Sequence, residues 1–196
     1  EYMDVSQVTG LDPARVALVL ADIQNDFCRG QAANTATAER AQRFAAEAMM
    51  LGVHVVYTRQ VLEWGQLTPR QQHRESPDGL SAAGSTGAEL FLEALPGAAV
   101  VTKGRFDLWR SDQWWQYLSD QHIDGLIISG VELRCCVMYT VLGADEHGYA
   151  YTVPLDLVSG IDAGESTYNE WTRRYLRDVH DAPESSQELL SVWRGR

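Results

Sequence analysis

Apolar residues along this 196-residue chain fall into two kinds of pattern. Short, nearly continuous runs of aliphatic residues alternate with longer stretches in which apolar positions recur every three or four residues. The first pattern marks strands buried on both faces, and the second marks helices that cover them. Residues 15–23 (RVALVLADI), 53–58 (VHVVYT), 98–102 (AAVVT) and 125–129 (GLIIS) predict four strands. Residues 149–155 predict a fifth, and a short sixth is expected near Val179. Helices are expected over 37–51 with Gly52 as the stop, from a Ser111 cap to about Gln121, over 134–147 closed by Gly148, and over 165–177.

Alternation of this kind predicts an α/β fold: three layers, α/β/α, around a mainly parallel, about six-stranded, Rossmann-like sheet. A single domain over 1–196 accommodates it. Residues 59–87 interrupt the pattern with Gly, Pro, Ser and Gln punctuation. A connection that long inside a compact domain usually carries function.

Composition narrows the partners. With 16 basic against 27 acidic residues the chain carries a net charge of −11 and has no basic cluster. A phosphate backbone or an anionic membrane would be repelled, so neither nucleic acid nor membrane is an expected partner. No apolar run is long enough to cross a bilayer, and the first residues, EYMDVSQVTG, lack the pattern of a signal peptide. The three cysteines, Cys28, Cys135 and Cys136, include an adjacent pair that makes a poor disulfide framework. A cytoplasmic location and a reactive thiol are the simpler expectation.

In open parallel sheets, ligands bind beyond the carboxyl ends of the strands. Asp22 ends the first expected strand, Lys103 follows the third, and Cys135–Cys136 follow the fourth and open the next helix. A thiol at a helix N-terminus beside an ammonium is expected to have a lowered pKa. A carboxylate at the end of a buried strand is suited to take the thiol proton and return it to a leaving amine. Taken singly, each residue has an ordinary structural reading: a small buried hydrophobe, a turn cap, a solvated lysine. Their coincidence on one rim of the sheet is what points to chemistry.

Three segments, ADIQNDFCRG, VTKGRFDLW and SGVELRCCVMYT, together resemble the signature blocks of the isochorismatase-like cysteine hydrolases. The resemblance is carried by Asp22, Gln24, Asn25, Asp26 and Phe27; by Lys103, Arg105, Phe106 and Trp109; and by Gly130, Val131, Cys136, Val137 and Thr140. It implies an amidohydrolase in which Cys136 is the nucleophile, Asp22 the general base and Lys103 the cation that orients the pair. It also implies a cis Val131–Glu132 bond, with the backbone N–H groups of Glu132 and Cys136 as oxyanion donors. An acyl-enzyme thioester would follow, formed from a small amide, carbamoyl or ureido compound. Relatives of this kind are commonly dimers or tetramers, so a homo-oligomer acting on a small-molecule substrate is expected. The spacing from Gly130-Val131 favours Cys136 over Cys135.

Several positions depart from the family pattern. Leu133, followed by Arg134, stands where relatives often carry Thr. Glu132 stands where a small residue is common; it reads as a surface carboxylate whose backbone alone matters, or as a selector for a cationic substrate. Nicotinamidases of the superfamily carry an Asp-x-His-x-x-x-His metal site after the second strand. Residues 58–64 offer no histidine and a single carboxylate, so no metal and no other cofactor is expected. The resemblance is therefore to the metal-free branch, similar to N-carbamoylsarcosine, biuret and ureidoacrylate hydrolases. Gln24, Phe27, Trp64 and Trp109 are expected to line the substrate pocket. Trp114 and Trp115 are expected in the core. Two alternatives stand beside this reading: cleavage of a vinyl ether, as in true isochorismatases, and a non-catalytic binding or assembly module on the same fold.

Overall fold

The computed structural model describes residues 5–161 and 166–195. Five parallel strands form one sheet: β1 (Val16–Ala21), β2 (His54–Gln60), β3 (Ala99–Lys103), β4 (Gly125–Gly130) and β5 (Ala150–Thr152). They lie in the order β3-β2-β1-β4-β5. The helices are α1 (Val5–Thr9), α2 (Asn25–Cys28), α3 (Ala32–Met50), α4 (Pro69–Gln72), α5 (Asp112–Asp120), α6 (Met138–Glu146), α7 (Ser166–His180) and α8 (Gln187–Arg194).

Every residue of β1 is buried because its side chains feed two cores in alternation. Val16, Leu18 and Leu20 pack with Ala41 and Ala45 of α3 and Trp193 of α8. Ala17, Val19 and Ala21 pack on the opposite face with Trp114 of α5, Val141 of α6 and Leu176 of α7. Each fully buried Leu or Ile contributes about 1.5–3 kcal/mol, which is why a continuous apolar run is stable only between two covering layers.

The architecture agrees with the α/β/α expectation, and the differences are local. The sheet has five strands where about six were expected. Val179 lies in the last turn of α7, an amphipathic helix whose period overrides the short apolar patch. The expected helix over 165–177 begins outside the described residues; its described part runs on to His180. The fifth strand is shorter, because Pro154 starts a 3-10 turn over Leu155–Leu157. α3 begins five residues earlier than expected. Asn34 lies in the added first turn, where its side chain donates to the carbonyl of Phe27. Among the described residues, no helix is long and apolar enough to cross a membrane.

Strand order reverses between β1 and β4, and a crevice forms at the carboxyl ends of strands at such a point. There β1 and β4 run in register to their ends, with Ala21 opposite Gly130. Gly130 has φ 105, and a Cβ on it would lie 2.3 Å from the Ala21 carbonyl oxygen, so only glycine lets the two strand ends meet this closely.

Candidate active site

Asp22 leaves β1 in the left-handed region, φ 44, which aspartate tolerates better than bulkier residues. Thr58 of β2 fixes it from the neighbouring strand: its hydroxyl accepts the Asp22 N–H at 3.2 Å and donates to Asp22 Oδ1 at 2.7 Å. Lys103 comes from β3, two strands away, and reaches across the end of β2. Its Nζ lies 2.7 Å from Asp22 Oδ2, with the two side chains 1% and 0% exposed. Nζ also donates to the carbonyl of Phe106 at 2.8 Å. Burial alone would lower the lysine pKa; the facing Asp22 carboxylate, with a smaller contribution from Cys136, raises it instead. Lys103 is therefore an ammonium at neutral pH.

Cys136 sits in a π-helical turn, Leu133–Val137, that joins β4 to α6. Such turns are rare and recur at functional sites. The Val131–Glu132 peptide bond before it is cis. The Glu132 carbonyl accepts the N–H groups of Cys135 (3.1 Å) and Val137 (3.2 Å), which flank that of Cys136. The Thr140 hydroxyl donates to the Cys136 carbonyl at 2.8 Å and ties the turn to α6.

The thiol differs from the sequence expectation. Burial and then the Asp22 charge push its pKa well above the ordinary value of 9.0, against the opposing pull of Lys103. The side chain is 1% exposed and precedes α6 inside the π turn, so desolvation outweighs any helix dipole. The resting constellation is a neutral thiol beside a closed carboxylate–ammonium pair. Cys135, one position earlier, is only half-buried. Cys28 is buried elsewhere and pushed up to about 12 by desolvation and by Glu132.

The block that follows Asp22 is a staple for the long connection between β2 and β3. Gln24 Nε2 donates to the carbonyls of Gln60 and Ala88, both at 2.8 Å, and Gln24 Oε1 accepts the Gln60 N–H at 2.8 Å. Asn25 Nδ2 donates to the Thr86 carbonyl at 2.7 Å, and Asp26 Oδ2 accepts the Ser81 N–H at 2.7 Å. One short segment thus holds both ends and the interior of that excursion. Against its outer part a cleft of about 610 Å³ opens, with Lys103, Arg105, Phe106, Glu63, Leu67 and Tyr139 on its walls. Arg105 pairs with Glu75 of the long connection at 3.0 Å.

The four expected pocket residues do not line this cleft. Gln24 is fully buried and spends its amide on backbone groups. Phe27 is part of the core on the α3 side. Trp109 is buried against Trp114 and Trp115, with its ring over Gly143 of α6, where an added Cβ would lie 1.9 Å from it. Its indole N–H donates to the Thr140 carbonyl, so core packing uses the whole side chain. Trp64 is half-buried and does not line the cleft, although Glu63 and Gln66 beside it do. Phe106, Leu67 and Tyr139 take the wall positions instead; their spacing in the sequence carries no signal, because a loop and two elements bring them together.

Glu132 is not a surface carboxylate. It is 9% exposed, and both oxygens are engaged by Asn34 and by the Ile161 N–H. A group so occupied is not free to select a cationic substrate.

Three of residues 58–64 are engaged within the fold. Thr58 holds Asp22, Gln60 bonds Gln24 and Arg59 pairs with Glu89. Among the described residues, no group of three or more His, Cys, Asp or Glu side chains is placed to hold a metal ion.

Comparisons with known proteins agree with this fold. The isochorismatase domain model matches residues 16–178. The chain is 30% identical to the nicotinamidase of Escherichia coli (strain K12), over 74% of this chain and 84% of that protein. Among solved structures, a cysteine hydrolase from Pseudomonas syringae pv. phaseolicola 1448A superposes with a TM-score of 0.83 at 16% identity, covering 94% of this chain and 95% of that one. N-carbamoylsarcosine amidase from Thermoplasma acidophilum superposes at 0.70 with 20% identity, covering 86% and 94%. At these identities the structures attest the fold. The domain match spans the five strands and every segment that bears Asp22, Lys103 and Cys136, and the chain belongs to the isochorismatase family of hydrolases.

Proposed function

We propose that this chain hydrolyses a C–N bond of a small amide, carbamoyl or ureido compound, with Cys136 as nucleophile. The observation that carries this reading is the buried Asp22–Lys103 pair at 2.7 Å, faced by the Cys136 thiol. A neutral thiol needs a base at the moment of attack, and Asp22 is the carboxylate within its reach. As Sγ bonds to the substrate carbonyl carbon, its proton passes to Asp22 and the carbonyl π electrons move onto oxygen. Lys103 holds Asp22 in place at 2.7 Å and balances the charge that develops. The backbone N–H groups of Glu132 and Cys136 are the proposed oxyanion donors, and such donors are worth about 3 kcal/mol each in barrier height. Collapse of the tetrahedral intermediate breaks the C–N bond, and the proton on Asp22 goes to the leaving nitrogen. Water, deprotonated by Asp22, then cleaves the thioester and restores the thiol.

The names of the relatives, a nicotinamidase and an N-carbamoylsarcosine amidase, support an amide-like bond. The composition of residues 58–64 supports the metal-independent form of the chemistry. Ammonia release from a panel containing nicotinamide, N-carbamoylsarcosine, biuret and simple ureides tests the reading. Turnover of at least one member is expected, falling about 1,000-fold or more in Cys136→Ala and persisting in Cys135→Ala. An active Cys136→Ala enzyme, or pyruvate release from isochorismate with no ammonia from any amide, would overturn it.

A further inference from the structure

The turn that carries Cys136 is held from outside the catalytic group, by the side chain of the residue that opens it. Glu132 Oε1 accepts from Asn34 Nδ2 at 2.8 Å, and the Ile161 N–H is shared between Oε1 (3.1 Å) and Oε2 (2.8 Å). Asn34, fully buried in the first turns of α3, accepts from the Ser159 hydroxyl at 2.7 Å and donates to the Phe27 carbonyl at 2.7 Å. The backbone runs parallel to this side-chain chain. The Leu133 N–H donates to the Ser159 carbonyl at 2.9 Å, and the Ser159 N–H to that of Gly130 at 3.2 Å. One carboxylate therefore joins three pieces of the fold: the Leu133–Val137 turn, α3 and residues 159–161.

A carboxylate is costly to bury unless donors meet it, so a simple packing role would be served better by an apolar side chain. Glu132 takes no part in the Asp22–Lys103 pair. Its backbone carbonyl does take the two N–H groups that bracket Cys136, so the side chain fixes the very peptide that shapes the turn.

We propose that Glu132 is a positioning residue: through Asn34 and Ile161 its carboxylate holds the 133–137 turn, and with it Cys136, against Asp22 and Lys103. The proposal rests on Cys136 being the nucleophile. An error of about 1 Å at a reacting atom can cost about 100-fold in rate.

Hydrogen exchange of the full chain reads the clamp without any substrate. In Glu132→Ala, amides of residues 133–137 should exchange at least about tenfold faster while those of β1 stay as in the wild type. Asn34→Ala should reproduce the effect from the other end of the bond, and Glu132→Gln, which keeps an acceptor, should restore most of the protection. With the panel member that turns over fastest, Glu132→Ala should lose about 10- to 100-fold in kcat with KM within about threefold. Wild-type exchange over 133–137 in both Ala variants overturns the proposal, as does faster exchange there only in step with β1. An active Cys136→Ala enzyme defeats the nucleophile assignment instead, while the exchange data still judge the clamp.

Discussion

Lys103 Nζ and Asp22 Oδ2 stand 2.7 Å apart although their strands are separated by β2, and both side chains are sealed from solvent. The lysine reaches across the end of the intervening strand, where Thr58 holds the other carboxylate oxygen. Strand order, register and side-chain length together create a charged pair that no local segment contains.

Removing one partner leaves the other charge buried without compensation. Lys103→Met should cost about 3–5 kcal/mol of stability. Pairing it with Asp22→Asn should recover a large part of that loss, because no isolated charge is then left. Urea unfolding of the two single variants and the double variant checks this. Ammonia release should be lost in all three, so the double variant separates folding from activity.

Cys136 is a neutral thiol in the resting site, and its pKa lies well above 9.0. Alkylation of Cys136 by iodoacetamide should therefore be slow between pH 6 and 8 and rise about tenfold per pH unit, with no plateau up to pH 9. Peptide mapping distinguishes it from Cys28. A plateau below pH 8 would contradict the raised pKa. The same shift affects stability. The unfolded chain ionises this thiol near its ordinary value of 9.0 while the folded chain keeps the proton, so folding loses stability as pH rises above that value. Cys136→Ser should flatten the decline.

The staple at Asp26 predicts an effect on substrate capture. Asp26→Ala removes the acceptor of the Ser81 N–H and frees the middle of the connection that walls the cleft. KM for the best panel substrate should rise about tenfold with kcat changed less than about threefold, and trypsin should cut faster at the exposed Arg70 and Arg74. Asp26→Asn, which keeps an acceptor, should behave close to the wild type. Unchanged KM and cleavage rates in Asp26→Ala would show that other contacts hold the connection.

Much of this was legible in the chain because it depends on short periods. The apolar runs that become β1, β2 and β4 announce strands covered on two sides, and the residues just beyond them announce the rim. What escaped depends on distant partners. Asn34 carries no signal in the sequence, yet its amide donates both to the Phe27 carbonyl and to Glu132. Trp109, close to Lys103 in sequence, turns into the core because Gly143 leaves room for its ring. Gln24, Asn25 and Asp26 look like chemistry, being polar and adjacent to Asp22, yet their partners are backbone groups 36 to 64 residues away. The depression expected for a thiol at a helix N-terminus gave way to burial, which a sequence does not display.

The pinning of residues 60–88 by Gln24 and its two neighbours has a consequence for design. The excursion is anchored at its base by backbone contacts that do not depend on its own side chains. It can therefore be treated as a cassette, whose side chains are open to replacement while the anchor and the charged pair beside it are left in place. This segment, which walls the cleft, is therefore a natural place to begin redesigning this enzyme.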